Sequence, residues 1–148
     1  MKRLFLFTLF ISAMFVSCNN AENTGQTTAS QQDKEAISRT LEFYMEGSRQ
    51  GNSKITAKAF AEGATLSGIY QGKFMVAPIQ VLYDLVDQQG PKESDYTITT
   101  CSVEGEIAIV RIEANFGKKR YTDMFTMVKD GNDWKIVSKV YHLHYVLS

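Results

Sequence analysis

A regular alternation of apolar and polar residues in the C-terminal half constrains this chain more than any other feature. The alternating segments are about 94–103, 106–116, 119–129 and 133–146. The breaks between them are Glu104-Gly105, Gly117-Lys118 and a turn around Asp130-Gly131. Period-two alternation is typical of β-strands with one buried face, and short breaks that contain glycine form hairpins. The sequence therefore predicts an antiparallel meander of four strands.

Helical patterns precede the meander. Ser30 followed by Asp33 is typical of a helix N-terminus, and "RQGN" at 49–52 ends that helix. Its apolar stripe is Ile37, Leu41, Tyr44, Met45 and Ser48. A second, short helix is expected from Ser53, with Ile55, Ala59 and Phe60 on its stripe and Gly63 at its end.

Residues 64–70 are predicted to form a short strand. Pro78 in the first turn and Gly90 at the C-cap bound a third helix. Three helices followed by a mostly antiparallel sheet make an α+β domain, in which the helices cover one face of a curved sheet.

The lysines of the last strand indicate which of its faces is inside. Lys135 and Lys139 share one face, so the other face is expected to point toward the helices. That inner face would carry Trp134, Ile136, Ser138, Val140 and His142. Pairing 116 with 119 and 129 with 132 adds Tyr121, Asp123, Phe125 and Met127, and places Asp123 between Ile112 and Ser138.

The outer face of the third meander strand is expected to contact a second subunit. Its residues, Thr122, Met124, Thr126 and Val128, include two apolar side chains and no charge. Such a face favours a two-fold homodimer. An ordinary exposed, threonine-rich sheet face is the alternative.

The chain begins with a segment typical of a signal peptide. Lys2 and Arg3 precede an apolar run over 4–16, which is too short to span a bilayer as a stable helix. A serine then directly precedes Cys18, and this resembles the lipobox of bacterial lipoprotein signal peptides. We therefore expect residues 1–17 to be removed and Cys18 to carry lipid. An ordinary secretory signal is the alternative.

Residues 19–32 carry only small or polar side chains and are predicted to be a flexible tether after the lipidated cysteine. The remaining residues, 33–148, suit one compact domain. The expected location is the bacterial cell envelope, where the lipid anchors the protein to the membrane and the domain is periplasmic or surface-exposed. Cys101 then has no intramolecular partner and is expected to be a small core residue.

The charge balance argues against a polyanion-binding surface. The chain has 16 Lys and Arg residues against 16 Asp and Glu residues, and the predicted cleavage removes two of the basic ones. The densest basic cluster, 118–120, lies at a predicted turn. Nucleic acid binding is therefore not expected.

Three stretches resemble the nuclear transport factor 2-like (NTF2-like) superfamily. They are "EAISRTLEFYMEGSRQGN", "AFAEGATLSGIY" and "YTDMFTMVKDGNDWKIVSKVY". The resemblance covers about residues 33–145 and points to the SnoaL-like and putative lumazine-binding branch of small bacterial proteins. It implies a cone-shaped domain in which a bent sheet wraps around three helices. It also implies a pocket at the wide end of the cone and dimers formed through the sheet.

The ketosteroid isomerases, an enzymatic branch of that superfamily, allow a comparison by residue. They use a tyrosine on the first helix and a protonated aspartate on a strand as an oxyanion hole, with an aspartate as base. On that pattern Tyr44 takes the tyrosine position and Asp123 the oxyanion position, but Gly68 stands where the base should be. Isomerase chemistry by that mechanism is therefore not expected.

A pocket of aromatic side chains is nevertheless expected inside the cone. Its predicted lining is Tyr44, Tyr70, Tyr83, Tyr121, Asp123, Phe125, Trp134, Ser138 and His142. A tyrosine and a desolvated carboxyl would hold a ligand oxygen or ring nitrogen. The alternative is that Asp123 only hydrogen-bonds Tyr44 or Ser138 and that the aromatic residues are ordinary core.

The two histidines are a weaker signal. His142 and His144 share one strand face, but zinc sites need three or four ligands and only a carboxylate such as Asp123 remains to supply a third. No metal site and no cofactor are therefore expected. His142 at the pocket rim and plain packing at the strand end are both left open.

These observations favour a membrane-anchored domain that binds a small molecule, acts as a homodimer and has an accessory role. The name of the resembling branch suggests a heteroaromatic, lumazine-like ligand. The alternative is a SnoaL-like, cofactor-free enzyme of the isomerase, cyclase or dehydratase type, with a small hydrophobic substrate and with Asp123 and His142 as acid and base. A third is a protein-interaction module that uses the outer sheet face.

Overall fold

The computed structural model describes residues 29–145. The predicted signal peptide, Cys18 and nearly all of the predicted tether lie outside this range. None of the helices within 29–145 has both the length and the hydropathy that a membrane span requires.

Residues 29–145 form three α-helices and six β-strands. The helices are α1 (Gln31–Gln50), α2 (Ser53–Thr56) and α3 (Gln80–Gln89), and a 3-10 turn, Ala57–Ala59, follows α2. The strands are β1 (Phe60–Tyr70), β2 (Lys73–Pro78), β3 (Ser94–Glu104), β4 (Ile107–Phe116), β5 (Lys119–Asp130) and β6 (Asp133–His144). The predicted α+β class is confirmed.

Helix α1 forms where its caps predict. The side chain of Ser30 accepts a hydrogen bond from the Asp33 backbone N–H at 3.0 Å, and Gly51 ends the helix with a left-handed φ of 60°. The predicted stripe, Ile37, Leu41, Tyr44, Met45 and Ser48, is buried. The first helix therefore presents Tyr44 to the inner face of the sheet.

The segment between α1 and α3 differs from the prediction. Phe60 begins β1 and pairs with Ile136 instead of ending a helix. β2 was not predicted, and it pairs with β1 through a turn at Gln71 and Gly72, both of which have positive φ. The sequence places Pro78 in the first turn of the third helix, but this proline ends β2, and α3 begins at Gln80. Proline is tolerated on an edge strand, which β2 is.

The sheet has the strand order β2-β1-β6-β5-β4-β3, and only β1 and β6 run parallel. The predicted pairing of 116 with 119 is confirmed. The predicted pairing of 129 with 132 is wrong, because the last hairpin pairs Asp130 with Asp133.

A β-bulge in β6 changes which residues face the helices. Met127 pairs with Ile136 but Thr126 pairs with Ser138, so Val137 is an extra residue without a partner on β5. Beyond a bulge, the alternation of faces shifts by one residue. Lys139 is therefore buried, at 3% exposure, while Val140 is 47% exposed. The prediction that Ser138, Val140 and His142 point inward is wrong.

Trp134 and Asp33 link the β5–β6 hairpin to helix α1. Trp134 is fully buried, and its indole N–H donates to Asp33 Oδ1 at 3.3 Å. Lys129 Nζ donates to the same oxygen at 2.8 Å. The end of the β5–β6 hairpin is thus fastened to the first turn of α1.

Candidate functional site

A cavity of about 290 Å³ lies between α3 and the inner face of the sheet. Its aromatic walls are Tyr44, Tyr70, Phe116, Tyr121 and Tyr141. Its aliphatic walls are Leu66, Met75, Val81, Leu82, Leu85, Val86 and Leu143. The polar side chains on its border are Ser48, Gln89, Lys92, Lys119 and Lys139. This size is at the lower end of the about 300–1,000 Å³ typical of small-molecule sites, so it suits a ligand of one or two rings.

A second depression, of about 590 Å³, runs along α1 beside Tyr96. Charged and amide side chains of the helix, Gln31, Lys34, Glu35, Arg39 and Glu42, form most of its walls. An open, polar groove of this kind desolvates a ligand poorly, so we take the apolar cavity as the candidate site.

Three ionisable side chains meet at the inner end of the apolar cavity. Lys139 Nζ forms an ion pair with Asp123 Oδ1, and the Tyr44 hydroxyl donates to Asp123 Oδ2 at 3.0 Å. Asp123 is fully buried. The carboxylate therefore bridges a lysine of β6 and a tyrosine of α1.

Aromatic rings enclose the ammonium group of Lys139. Its Nζ lies 5.5 Å from the ring centroid of Tyr44, 5.6 Å from that of Phe125 and 5.5 Å from that of Tyr141. Such cation–π contacts stabilise a buried cation by about 0.5–2 kcal/mol each. The side chain nevertheless borders the cavity, so a ligand there would contact it.

Burial shifts the pKa of two of these groups. Desolvation lowers the pKa of the Lys139 amine, and the charge and hydrogen bond of Asp123 oppose that change only in part. Desolvation, together with the charge of Asp123, raises the pKa of the Tyr44 phenol well above its ordinary value of 10. Tyr44 is thus a neutral donor at physiological pH, and Lys139 gives up its proton more readily than an exposed lysine.

Gly68 explains how Tyr141 reaches the cavity. The two residues are paired across the parallel strands β1 and β6, and a Cβ on Gly68 would lie 2.6 Å from Cε1 of the Tyr141 ring. The ring of Tyr141 therefore occupies the space that a side chain at position 68 would need. This is the position that the isomerase comparison assigned to a catalytic base.

Of the residues predicted to line a pocket, Tyr44, Tyr70 and Tyr121 border this cavity. The other predicted lining residues do not reach it. Asp123 and Phe125 are buried and contact Tyr44, which does line the cavity. Tyr83 packs against Phe60 with ring centroids 6.1 Å apart, and Trp134 belongs to the core.

Ser138 and His142 lie on the outer face because of the bulge at Val137. Thr65 Oγ1 is 3.4 Å from Ser138 Oγ, and His142 pairs with Thr122 and is exposed. Asp123 faces the opposite side of the sheet. The expectation that Asp123 and His142 act together as acid and base is therefore wrong.

His144 is part of the same outer surface. Its ring contacts that of His142 with centroids 4.7 Å apart, and its Nε2 lies 2.8 Å from Thr122 Oγ1. Within residues 29–145, no group of three or more His, Cys, Asp and Glu side chains is arranged to hold a metal ion. Cys101 is a free, half-buried thiol whose pKa is raised by burial.

Sequence reasoning missed Lys139, the most informative residue of the site. The sequence places its side chain on the outer face of the last strand, because lysine is rarely buried without a partner. The signal that could have found it is Asp123, a carboxylate in an apolar strand face that needs a buried partner of opposite charge.

Comparisons with known proteins agree on the fold. Residues 32–142 match the family described as "Putative lumazine-binding". An NTF2-like protein of unknown function from Shewanella baltica is 34% identical, with a TM-score of 0.74 over 80% of this chain and 99% of its own. One from Methylobacillus flagellatus is 31% identical, with a TM-score of 0.75 over 80% of this chain and 97% of its own.

A curated relative carries the name of an enzyme. The aldolase FrzH of a Cladobotryum species is 30% identical over 118 residues, which are 78% of this chain and 93% of that protein.

Proposed function

Because the chain belongs to the "Putative lumazine-binding" family and has the NTF2-like fold, we propose that it binds a small planar molecule in the cavity between α3 and the sheet. The observation that carries this proposal is the cavity of about 290 Å³ itself, which has aromatic and aliphatic walls and the linked polar groups of Lys139, Asp123 and Tyr44 at its inner end.

The walls indicate the chemistry of the ligand. Five aromatic side chains, Tyr44, Tyr70, Phe116, Tyr121 and Tyr141, favour a flat ring system that stacks against them or meets them edge-on. Lys139 supplies a donor for a ligand oxygen or ring nitrogen. A lumazine-like heteroaromatic has both properties, since its two fused rings carry carbonyl oxygens.

A thermal-shift titration with lumazine and with neutral bicyclic aromatics tests this proposal. We expect a rise in melting temperature that depends on ligand concentration. Val86→Trp should abolish the rise because Val86 borders the cavity. Gln88→Trp places the same side chain on an exposed position of α3 and should leave the rise intact. No shift with any of these compounds would contradict the proposal.

A second candidate function is cofactor-free catalysis on a carbonyl compound. Two observations favour it: a buried lysine, carboxylate and tyrosine in contact with one another, and the name of the relative, an aldolase. Aldol chemistry begins with removal of a proton next to a carbonyl group. Solvent deuterium exchange into a cyclic ketone, followed by NMR, tests it. Exchange that is lost in Lys139→Arg and kept in Lys118→Arg, at an exposed lysine that does not line the cavity, would support an enzyme.

The setting of the domain is also part of the proposal. We infer a lipid anchor at Cys18, the tether 18–32 and a location in the bacterial cell envelope, supported by the sequence pattern of residues 1–18. We also infer a homodimer through the outer sheet face. The exposed apolar residues Ile107, Ile109, Met124, Val128 and Val140 on that face support it.

A further inference from the structure

We propose that Lys139 is a nucleophilic amine, and that the cavity takes small aromatic aldehydes or ketones that Lys139 Nζ captures as an imine. This inference rests on the proposed function, because it requires that a ring system enters the cavity. It adds a class of ligand and a covalent step.

The position of Lys139 is the first argument. Its side chain is only 4% exposed, yet it borders the apolar cavity. A lysine whose only role was to form the ion pair with Asp123 could be enclosed by core residues on all sides and would not need to border a cavity. A molecule in the cavity would contact the Lys139 side chain, which is otherwise almost completely shielded from solvent.

The partners of Lys139 are the second argument. Asp123 is the carboxylate in contact with Nζ, and it can accept the proton that the ammonium must lose before it can attack a carbonyl carbon. The charge of Lys139 disfavours a second cation, and the apolar rings of Tyr44, Phe125 and Tyr141 around it disfavour a hydrated anion. A neutral carbonyl compound with an aromatic ring fits this surrounding.

The step balances without any further reactant. The lone pair of Nζ forms a bond to the carbonyl carbon, the carbon–oxygen bond breaks, and the oxygen leaves as water with the two hydrogens of the neutral amine. The Tyr44 hydroxyl and Asp123 can relay protons during the transfer because they are hydrogen-bonded to each other at 3.0 Å. Apolar walls favour the imine because they limit the water available to hydrolyse it.

Burial lowers the pKa of the Lys139 amine, so capture near neutral pH should distinguish it from the exposed lysines. The titratable groups that face it are Tyr44 on α1, Asp123 and Tyr121 on β5, and Tyr141 on β6. Burial raises the pKa of each of the three phenols, so these hydroxyls are neutral at pH 7, and Asp123 is the carboxyl group in contact with the amine.

Reductive trapping tests the inference. The purified full-length chain is incubated at pH 7 with 2-naphthaldehyde and sodium cyanoborohydride, and the adduct is located by peptide mass spectrometry. We expect one adduct, on Lys139. Lys139→Arg should lose it, and Lys118→Arg should keep it, since Lys118 is an exposed lysine that does not line the cavity. Mapping on the unaltered chain gives the answer even where Lys139→Arg does not fold.

A parallel thermal-shift experiment with 2-naphthalenemethanol separates the two proposals, since this alcohol has the same rings and no carbonyl group. Stabilisation by the alcohol without an adduct on Lys139 would overturn the imine and leave the binding function standing. Neither stabilisation nor an adduct would overturn both. Adducts spread over exposed lysines, with Lys139 unmodified, would also overturn the imine.

Discussion

Asp123 on β5 and Lys139 on β6 form an ion pair inside the protein, although these residues do not face each other directly in the strand register. Asp123 pairs with Tyr141, and Lys139 pairs with Phe125. The lysine therefore reaches diagonally along the inner face of the sheet to the carboxylate. The pair closes the inner end of the cavity and links it to α1 through Tyr44.

Removing one member of this pair should cost much more than removing both. Lys139→Met leaves a buried carboxylate without a counter-charge and should lower the free energy of unfolding by about 3–5 kcal/mol. The double variant Lys139→Met/Asp123→Leu should lie closer to the unaltered protein than either single variant. Urea denaturation followed by the fluorescence of Trp134, the only tryptophan, measures this. Simple additivity of the two single effects would show that the pair is not coupled.

The ion pair also shows where sequence reasoning succeeds and where it stops. The alternation in β4 and β5 correctly placed Ile112, Asp123 and Phe125 inside, because those strands pair without interruption. In β6 the same logic fails beyond Val137. The residue types around Val137 do not indicate an extra residue. Lys139, which follows the bulge, is of a type that is usually exposed. Only the contact with Asp123, from another strand, accounts for its burial.

The sequence predicts some of the aromatic residues that line the cavity but not its other walls. Tyr44, Tyr70 and Tyr121 were expected in it, because the helical stripe and the strand alternation place them on inner faces. Tyr141 was missed because its side follows from the bulge. Met75 was missed because β2 was not predicted, and its last residue, Pro78, was expected to begin a helix although an edge strand tolerates proline.

Asp33 should make stability depend on acid pH. Hydrogen bonds from Lys129 and Ser30 hold the pKa of the Asp33 carboxyl below its ordinary value near 3.8. A lowered folded-state pKa stabilises the fold above the unfolded-state value, and the effect is lost as pH falls through the folded-state value. Asp33→Asn should therefore lower the melting temperature at pH 7, and its difference from the unaltered protein should shrink below pH 3.8.

Asp130→Asn is the control for that experiment, because Asp130 is an exposed carboxylate at the tip of the hairpin that Lys129 belongs to. It should change the melting temperature little at either pH. A difference between Asp33→Asn and the unaltered protein that is constant across pH would show that the carboxylate charge is not what stabilises the α1 terminus.

Gly68→Ala should displace the ring of Tyr141. The added Cβ would lie 2.6 Å from Cε1 of that ring, and overpacking of this kind costs about 1–3 kcal/mol. The loss should be smaller when Tyr141 is replaced as well, so Gly68→Ala/Tyr141→Leu should be less destabilised than the sum of its parts. Ser67→Ala on the same strand is the control. Urea denaturation of the four variants measures the coupling, and strict additivity would contradict the contact.

Cys18 should determine whether the protein is found in the membrane fraction or the soluble fraction of cells. If Cys18 carries the lipid anchor, Cys18→Ser should move the protein from the membrane fraction to the soluble fraction of bacterial cells, since the acyl chains supply the membrane affinity. Cys101→Ser removes the other cysteine and should leave the protein with the membranes. Immunoblots of both fractions measure the distribution. Retention of Cys18→Ser in the membrane fraction would contradict the proposed anchor.

The outer sheet face should determine the oligomeric state. Met124 is 47% exposed, and its cross-strand neighbour Val140 is 47% exposed as well. A lysine at position 124 would place a charge in the centre of a sheet-to-sheet interface, where an unpaired charge is costly to desolvate. Met124→Lys should therefore convert a dimer to a monomer in sedimentation equilibrium. Phe43→Lys is the matched control, because Phe43 is 41% exposed but lies on α1. If Met124→Lys and the unaltered chain have the same mass, the dimer does not use this face.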